Sequence, residues 1–223
     1  MAESEERESF SEILNESEVN EDDEEEVTAA EVLERLEQAW LNEKFAPELL
    51  ESKVELVECM LDQIKEMEEN LKEAEKGDLA GSLHRLEIQR IRYVISSYLK
   101  IRLKKIEKYA FHIMEPSLDK TDYISHLSAE EHVYAKEYCK NVEDLLKSLA
   151  LDHMPPNLSS LDKKKSVPQP NLDSYLFMKV LQPQDQVELD PDDQPADLEV
   201  GAQHLVRYSV IAPLLEKGAV ALI

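Results

Sequence analysis

The sequence predicts a mainly α protein: an N-terminal four-helix-type bundle followed by a small β-rich C-terminal domain. Three observations carry this. Only 4 of the 223 residues are glycine while 33% are charged, a composition that favours helix over hairpin-rich or nucleotide-loop folds. Apolar residues recur every three or four positions through four successive segments. After Pro155-Pro156 that spacing gives way to short aromatic and β-branched runs.

The expected division is an acidic arm over 1–26, a helical domain over 27–152, a linker over 153–170 and a small β-rich domain over 171–223. The arm holds 13 acids and one arginine, half of the net charge of −24. So acidic a stretch reads as a disordered arm. Within it Phe10, Ile13 and Leu14 would share one face of a short helix, a candidate motif for docking in a partner's groove.

Thr28 with Glu31 forms a capping box, opening a helix on which Val32, Leu33, Leu36, Ala39 and Trp40 follow helical spacing. Pro47 begins a turn to Leu50, and Ser52 is placed to cap the next helix. Residues 53–76 give the cleanest amphipathic pattern, with Val57, Met60, Ile64, Met67 and Leu71 stepping by 3 and 4. Gly77-Asp78 ends it. Residues 79–111 read as one long helix whose apolar residues do not fit a single stripe, so its second face needs a cover.

Pro116–Ser128 reads as a loop, and Ser128 with Glu131 as a second capping box. The helix that follows, to Leu151, would turn Val133, Tyr134, Tyr138, Val142, Leu145, Leu146 and Leu149 inward. Beyond the linker, Ser174–Val180 and His204–Tyr208 lean to strand. Ile211-Ala-Pro begins a short helix that Gly218 ends, and Ala219–Ile223 is an apolar strand. An apolar chain end normally frays, so this one is expected to be docked.

Composition also excludes. A protein this acidic has no bulk attraction for nucleic acid. Two cysteines, Cys59 and Cys139, build no disulfide framework and are expected to be reduced packing residues. The N-terminus has no apolar leader and no run reaches the roughly 18 apolar residues of a membrane span, so a soluble intracellular chain is expected. The histidines (84, 112, 126, 132, 153, 204) are scattered without metal-ligand spacing, and no nucleophile elbow, phosphate loop or dinucleotide fingerprint appears. No cofactor, metal or catalytic residue is expected.

The chemically unusual stretch is Arg85–Lys108, with eight Lys/Arg against two acids. Its arginines lie among Ile, Leu and Tyr. That mixture marks the centre of a protein interface, with pairing to the acidic helix 53–76 and local DNA contact as the competing readings. The candidate partner-facing residues are Arg90, Arg92, Tyr93, Tyr98 and Arg102, with Arg207, Tyr208, Leu222 and Ile223 at the C-terminus.

Four blocks carry a resemblance: RLEQAWLNEKFAPELLE (35–51), RIRYVISSYLKIRLKKIEK (90–108), HMPPNL (153–158) and HLVRYSVIAPLLEKGAVALI (204–223). Together they resemble the fourth-subunit family of the eukaryotic GINS complex, over most of residues 28–223. The arm and the loop 115–128 match no such pattern. The resemblance implies a non-catalytic scaffold in a heterotetramer of four related subunits, acting in DNA replication in the nucleus. It further implies that the complex joins the MCM ring and its helicase co-activator, and links them to polymerases. For Phe10, Ile13 and Leu14 it implies docking on a replisome adaptor. The alternatives are an unrelated helical adaptor or a local DNA-binding protein using Arg85–Lys108.

Overall fold

The computed structural model describes residues 28–73, 79–114, 124–155, 167–187 and 196–223. Phe10, Ile13, Leu14 and the Gly77-Asp78 break lie outside them. Among the described residues four helices come first: α1 (Ala29–Phe45), α2 (Val54–Glu73), α3 (Leu79–Ile113) and α4 (Ala129–Leu149). A single 3-10 turn, Leu151–His153, closes the helical part.

Both predicted capping boxes form. The Thr28 hydroxyl accepts from the Glu31 amide and the Glu31 carboxylate accepts from the Thr28 amide. Ser128 and Glu131 repeat the arrangement at α4. Ser52 does not cap α2: its hydroxyl is buried without a hydrogen-bond partner, while its amide donates to the His126 carbonyl.

At 35 residues, α3 is the spine of the helical part. It runs beside α1 in the same direction, since Glu37 meets Arg90, Trp40 meets Ser97 and Glu43 meets Arg102. α2 returns antiparallel, with the Lys53 amide at Tyr98 and Glu68 at Arg92. Val57, Met60 and Ile64 of the predicted seam are buried against Val32 and Leu36 of α1 and against Ile88, Ile91, Val94, Ile95 and Tyr98 of α3. Met67 and Leu71 pack at its margin. Further along α3, Ile106, Tyr109 and Ile113 bury Leu49 and Ala135. A non-helical backbone at Tyr109 (φ −113°, ψ 15°) kinks the helix there.

The inward face expected for α4 is not observed. Ala135 is its buried residue, whereas Val133, Tyr134, Leu145 and Leu149 are exposed. The spacing marks an apolar face correctly, but nothing among the described residues covers it. Cys59 and Cys139 form no disulfide among the described residues, and Cys59 is exposed rather than packed.

The C-terminal part carries β1 (Tyr175–Val180), β2 (Gln184–Val187), β3 (Ala196–Leu198), β4 (Gln203–Arg207), α5 (Tyr208–Glu216) and β5 (Val220–Leu222). β1 is the centre of an antiparallel sheet ordered β4-β1-β5; β2 and β3 form a separate hairpin pair. The sequence expectation lacked that pair, and it placed the start of α5 too late. Tyr208, Ile211 and Leu215 sit at helical spacing on the buried face, and their burial carries the helix past Pro213. Gly218 then takes φ +70°, a left-handed turn after a helix that a residue with a Cβ resists.

The sheet is not a separate body on a tether. Its core (Met178, Val180, Leu198, Val206, Tyr208, Ile211, Val220, Leu222) is continuous with Ala46, and Phe45 and Leu50 pack against it. The edge strand β5 is met by α1: the Leu222 amide donates to Asn42 Oδ1 at 2.9 Å.

Candidate assembly surface and the ion cluster behind it

Where α1, α3 and α4 converge, Arg102 is buried to 0% exposure. A guanidinium has five N–H donors, and burying any of them unpaired is costly. All five are used. Nε and Nη2 clamp the two Glu131 oxygens at 2.7 and 2.8 Å. Nη1 donates to Glu43 Oε2 at 3.1 Å and to the Leu50 carbonyl at 2.8 Å. Nη2 also donates to the His126 carbonyl at 2.9 Å. Lys105 adds three donations, to the Glu43 carboxylate and to the carbonyls of Glu43 and Glu48.

The electrostatics follow from this packing. Burial disfavours the Arg102 charge, but the Glu131 and Glu43 carboxylates outweigh it and hold the guanidinium firmly protonated. Burial also pushes the Glu131 carboxyl up, and the Arg102 hydrogen bonds overrule it, leaving Glu131 below the ordinary carboxylate value. Lys105 goes the other way. Desolvation wins and its pKa is lowered despite Glu43. Above the cluster the Tyr98 ring stacks on the guanidinium, 5.7 Å from its centre, and the Tyr98 hydroxyl accepts from the Lys53 amide.

The cluster does structural work. Leu50, Glu48 and Lys53 belong to the α1–α2 connector, and His126 to the segment entering α4. Arg102 therefore fixes both connections to the spine. The connector it fixes is the one whose Ala46 and Leu50 receive the C-terminal sheet.

This corrects the partner-facing assignment at four positions. Tyr98, Arg102, Tyr208 and Leu222 are all buried inside this chain and have no side-chain surface for a partner. For Tyr98 and Arg102 the physical reason is shared: Arg and Tyr among Ile and Leu marks a desolvated centre, and here the centre is intramolecular. The apolar tail docks as expected, but on its own sheet and α1. Competing intramolecular pairing also claims Arg90, held by Glu37 and Glu87, and Arg92, held by Glu68 at 2.7 Å. Both keep about half of their side chains exposed, and Tyr93 and Ile223 are exposed as well. Arg207 is half-buried, opposite Tyr175 in the sheet.

Besides the uncovered face of α4, two further exposed apolar surfaces stand among the described residues. On α3, Leu79, Leu83, Leu86 and Tyr93 are exposed at spacings of 4, 3 and 7, a stripe on the face turned away from the core. On the sheet, Tyr175 and Phe177 point outward, with Leu205 directly across from Phe177 and Ile223 hydrogen-bonded to its carbonyl. Sequence reasoning missed Tyr175, Phe177 and Leu205. Their signal was present: SYLFMKV is apolar on both alternating sets, so one set had to face outward. Among the described residues no group of three or more His, Cys, Asp or Glu is placed to hold a metal. No described helix is long and apolar enough to cross a membrane.

An α bundle on a long spine carries a small antiparallel sheet seated on its first helix, and two family models match these two parts in turn. The family described as "GINS complex protein helical bundle domain" matches residues 8–150. That described as "DNA replication complex GINS protein SLD5 C-terminus" matches residues 170–223. Relatives named DNA replication complex GINS protein SLD5 are 54% identical in Mus musculus, over 88% of this chain and 91% of theirs. The one in Xenopus laevis is 53% identical over 92% and 95%. The one in Arabidopsis thaliana is 30% identical over 86% and 90%. The chain belongs to the SLD5 family of GINS proteins.

Proposed function

We propose that this chain is a non-catalytic structural subunit of a GINS heterotetramer and acts in DNA replication in the nucleus. Its direct partners are three other GINS subunits. Through them it meets the MCM ring and its co-activator, and the Phe10/Ile13/Leu14 motif offers a contact to a replisome adaptor linked to polymerases. The observation that carries the reading is the Leu79/Leu83/Leu86/Tyr93 stripe. It is apolar surface on a helix whose opposite face is already filled, in a chain belonging to a family named for a complex. Exposed patches of this kind mark association sites.

Co-expression with the three partner subunits tests it. The chain should co-purify in one stoichiometric assembly. Leu83→Glu with Leu86→Glu, both exposed, should leave the monomer folded and weaken incorporation by about 2 kcal/mol, roughly thirtyfold. Normal incorporation of the double variant would remove the stripe from the interface, and failure of the wild type to assemble would sink the reading itself. The DNA-binding alternative loses ground because Arg90, Arg92, Arg102 and Lys105 are already engaged by carboxylates.

A further inference from the structure

Lys100, Lys104 and Lys108 stand four residues apart on α3 and are all exposed. No ion pair engages any of them among the described residues, although 49 acids surround 25 Lys and Arg in this chain. Lys108 lies over the Tyr109 ring. Like charges at this spacing repel, so the ridge is left unneutralised in a protein with an excess of counter-charge. Beside it runs a shallow depression of about 190 Å³ lined by Tyr93, Ser96, Ser97, Lys100, Ile101 and Lys104. That is smaller than the roughly 300–1,000 Å³ of small-molecule sites, and suits a few peptide side chains.

We propose that this ridge and depression are the docking place of the chain's own acidic arm, residues 1–26. The charges are complementary: the arm holds 13 acids and one arginine, and the ridge holds three lysines with no ion pair among the described residues. While no adaptor holds them, Phe10, Ile13 and Leu14 supply the apolar side chains for the Ile101 end of the depression, clear of the Tyr93 rim that belongs to the partner-facing stripe. The tether reaches. Thr28 lies at the start of α1, level with the early part of α3, because α1 and α3 run in the same direction. From there to Lys104 is about 35 Å along the helix. The chain between Phe10 and Thr28 spans up to about 60 Å. A tethered segment meets its site at an effective concentration on the order of millimolar, so a weak contact suffices. Docked there, the arm shields the ridge from competing polyanions such as nucleic acid.

Zero-length carbodiimide coupling, which joins a carboxylate to an amine only in contact, tests this on the full chain, alone and in its assembly. Acids of residues 3–26 should couple to Lys100, Lys104 or Lys108 well above Lys136, Lys140 and Lys147, which are exposed on α4. Raising the salt roughly tenfold, Lys100→Glu with Lys104→Glu, or Phe10→Asp with Leu14→Asp should each cut the coupling several-fold. In a chain lacking residues 1–26, acetylation of Lys100 and Lys104 should quicken several-fold, with Lys136 and Lys140 unchanged. Arm coupling spread evenly over all lysines would overturn the proposal. So would ridge lysines that couple only to a partner subunit, or acetylation rates that ignore the arm.

Discussion

Arg92 and Arg102 lie on the same helix and both face carboxylates, yet their surroundings differ in kind. Arg92 meets Glu68 with about half of its side chain in water. Arg102 meets Glu43 and Glu131 with none, and carries two connector carbonyls as well. In water an ion pair exchanges one good solvation for another and contributes little. In a dry junction the charges have lost their water, so each partner depends on the others. The composition of the arginine strip is uniform, whereas its energetics are set by depth. The surface end of the strip is free to change without loss of the fold, and the buried end is not.

The largest effect expected is at the buried end. Arg102→Met roughly keeps the volume but leaves the Glu43 carboxylate with only Lys105 and the Glu131 carboxylate with only the Ser128 amide. Breaking such a pair costs about 3–5 kcal/mol, which chemical denaturation of the isolated chain will read. Because Arg102 pins the connector under Ala46 and Leu50, amide exchange in β5 should quicken in the same variant. A loss below about 1 kcal/mol would place Arg102 with the surface pairs and erase the contrast.

Acid sharpens the comparison. Burial raises the Glu131 carboxyl, and the hydrogen bonds and charge of Arg102, with the Ser128 amide, carry it below the usual 4.5. A carboxyl with a depressed folded pKa stabilises fully above its unfolded value, and that stability is lost as pH falls through the folded one. The denaturation midpoint should therefore drop as pH falls below about 4.5, and less steeply in Glu131→Gln. Glu87 and Glu51 are shifted in the same direction by Arg90 and Lys53, so the slope is reduced rather than abolished. An unchanged slope in Glu131→Gln would mean that the clamp contributes nothing to acid sensitivity.

The sequence made some of this legible and hid the rest for a definite reason. The boxes at Thr28/Glu31 and Ser128/Glu131 were readable because both partners lie three residues apart. Val57, Met60 and Ile64 were readable because a repeated step of 3 and 4 is itself the seam. Arg102 was readable as unusual but not as buried, because Glu43 and Leu50 lie more than fifty residues away. Periodicity likewise marked Leu145 and Leu149 as an apolar face without saying whether this chain or another covers it. The chain end at Leu222 was legible as docked, but its seat on Asn42, 180 residues away, was not. The pair β2 and β3 escaped because QDQV and ADL carry little alternation to detect.

The smallest expected effect lies at the exposed end of the strip. Arg92→Ala removes the Glu68 pair, whose two side chains are 52% and 39% exposed. The Coulomb gain there is screened by salt, and holding two long side chains in one geometry costs entropy. The isolated chain should therefore lose about 0.5 kcal/mol or less, read as a shift in melting temperature that shrinks further in high salt. Assembly is the more telling measurement. Arg92 flanks exposed Tyr93, so a variant that leaves the monomer unchanged but weakens incorporation with the partner subunits would place this end of α3 at the interface. Should the monomer instead lose as much as Arg102→Met, depth would not be what separates the two arginines, and the contrast between them would fail.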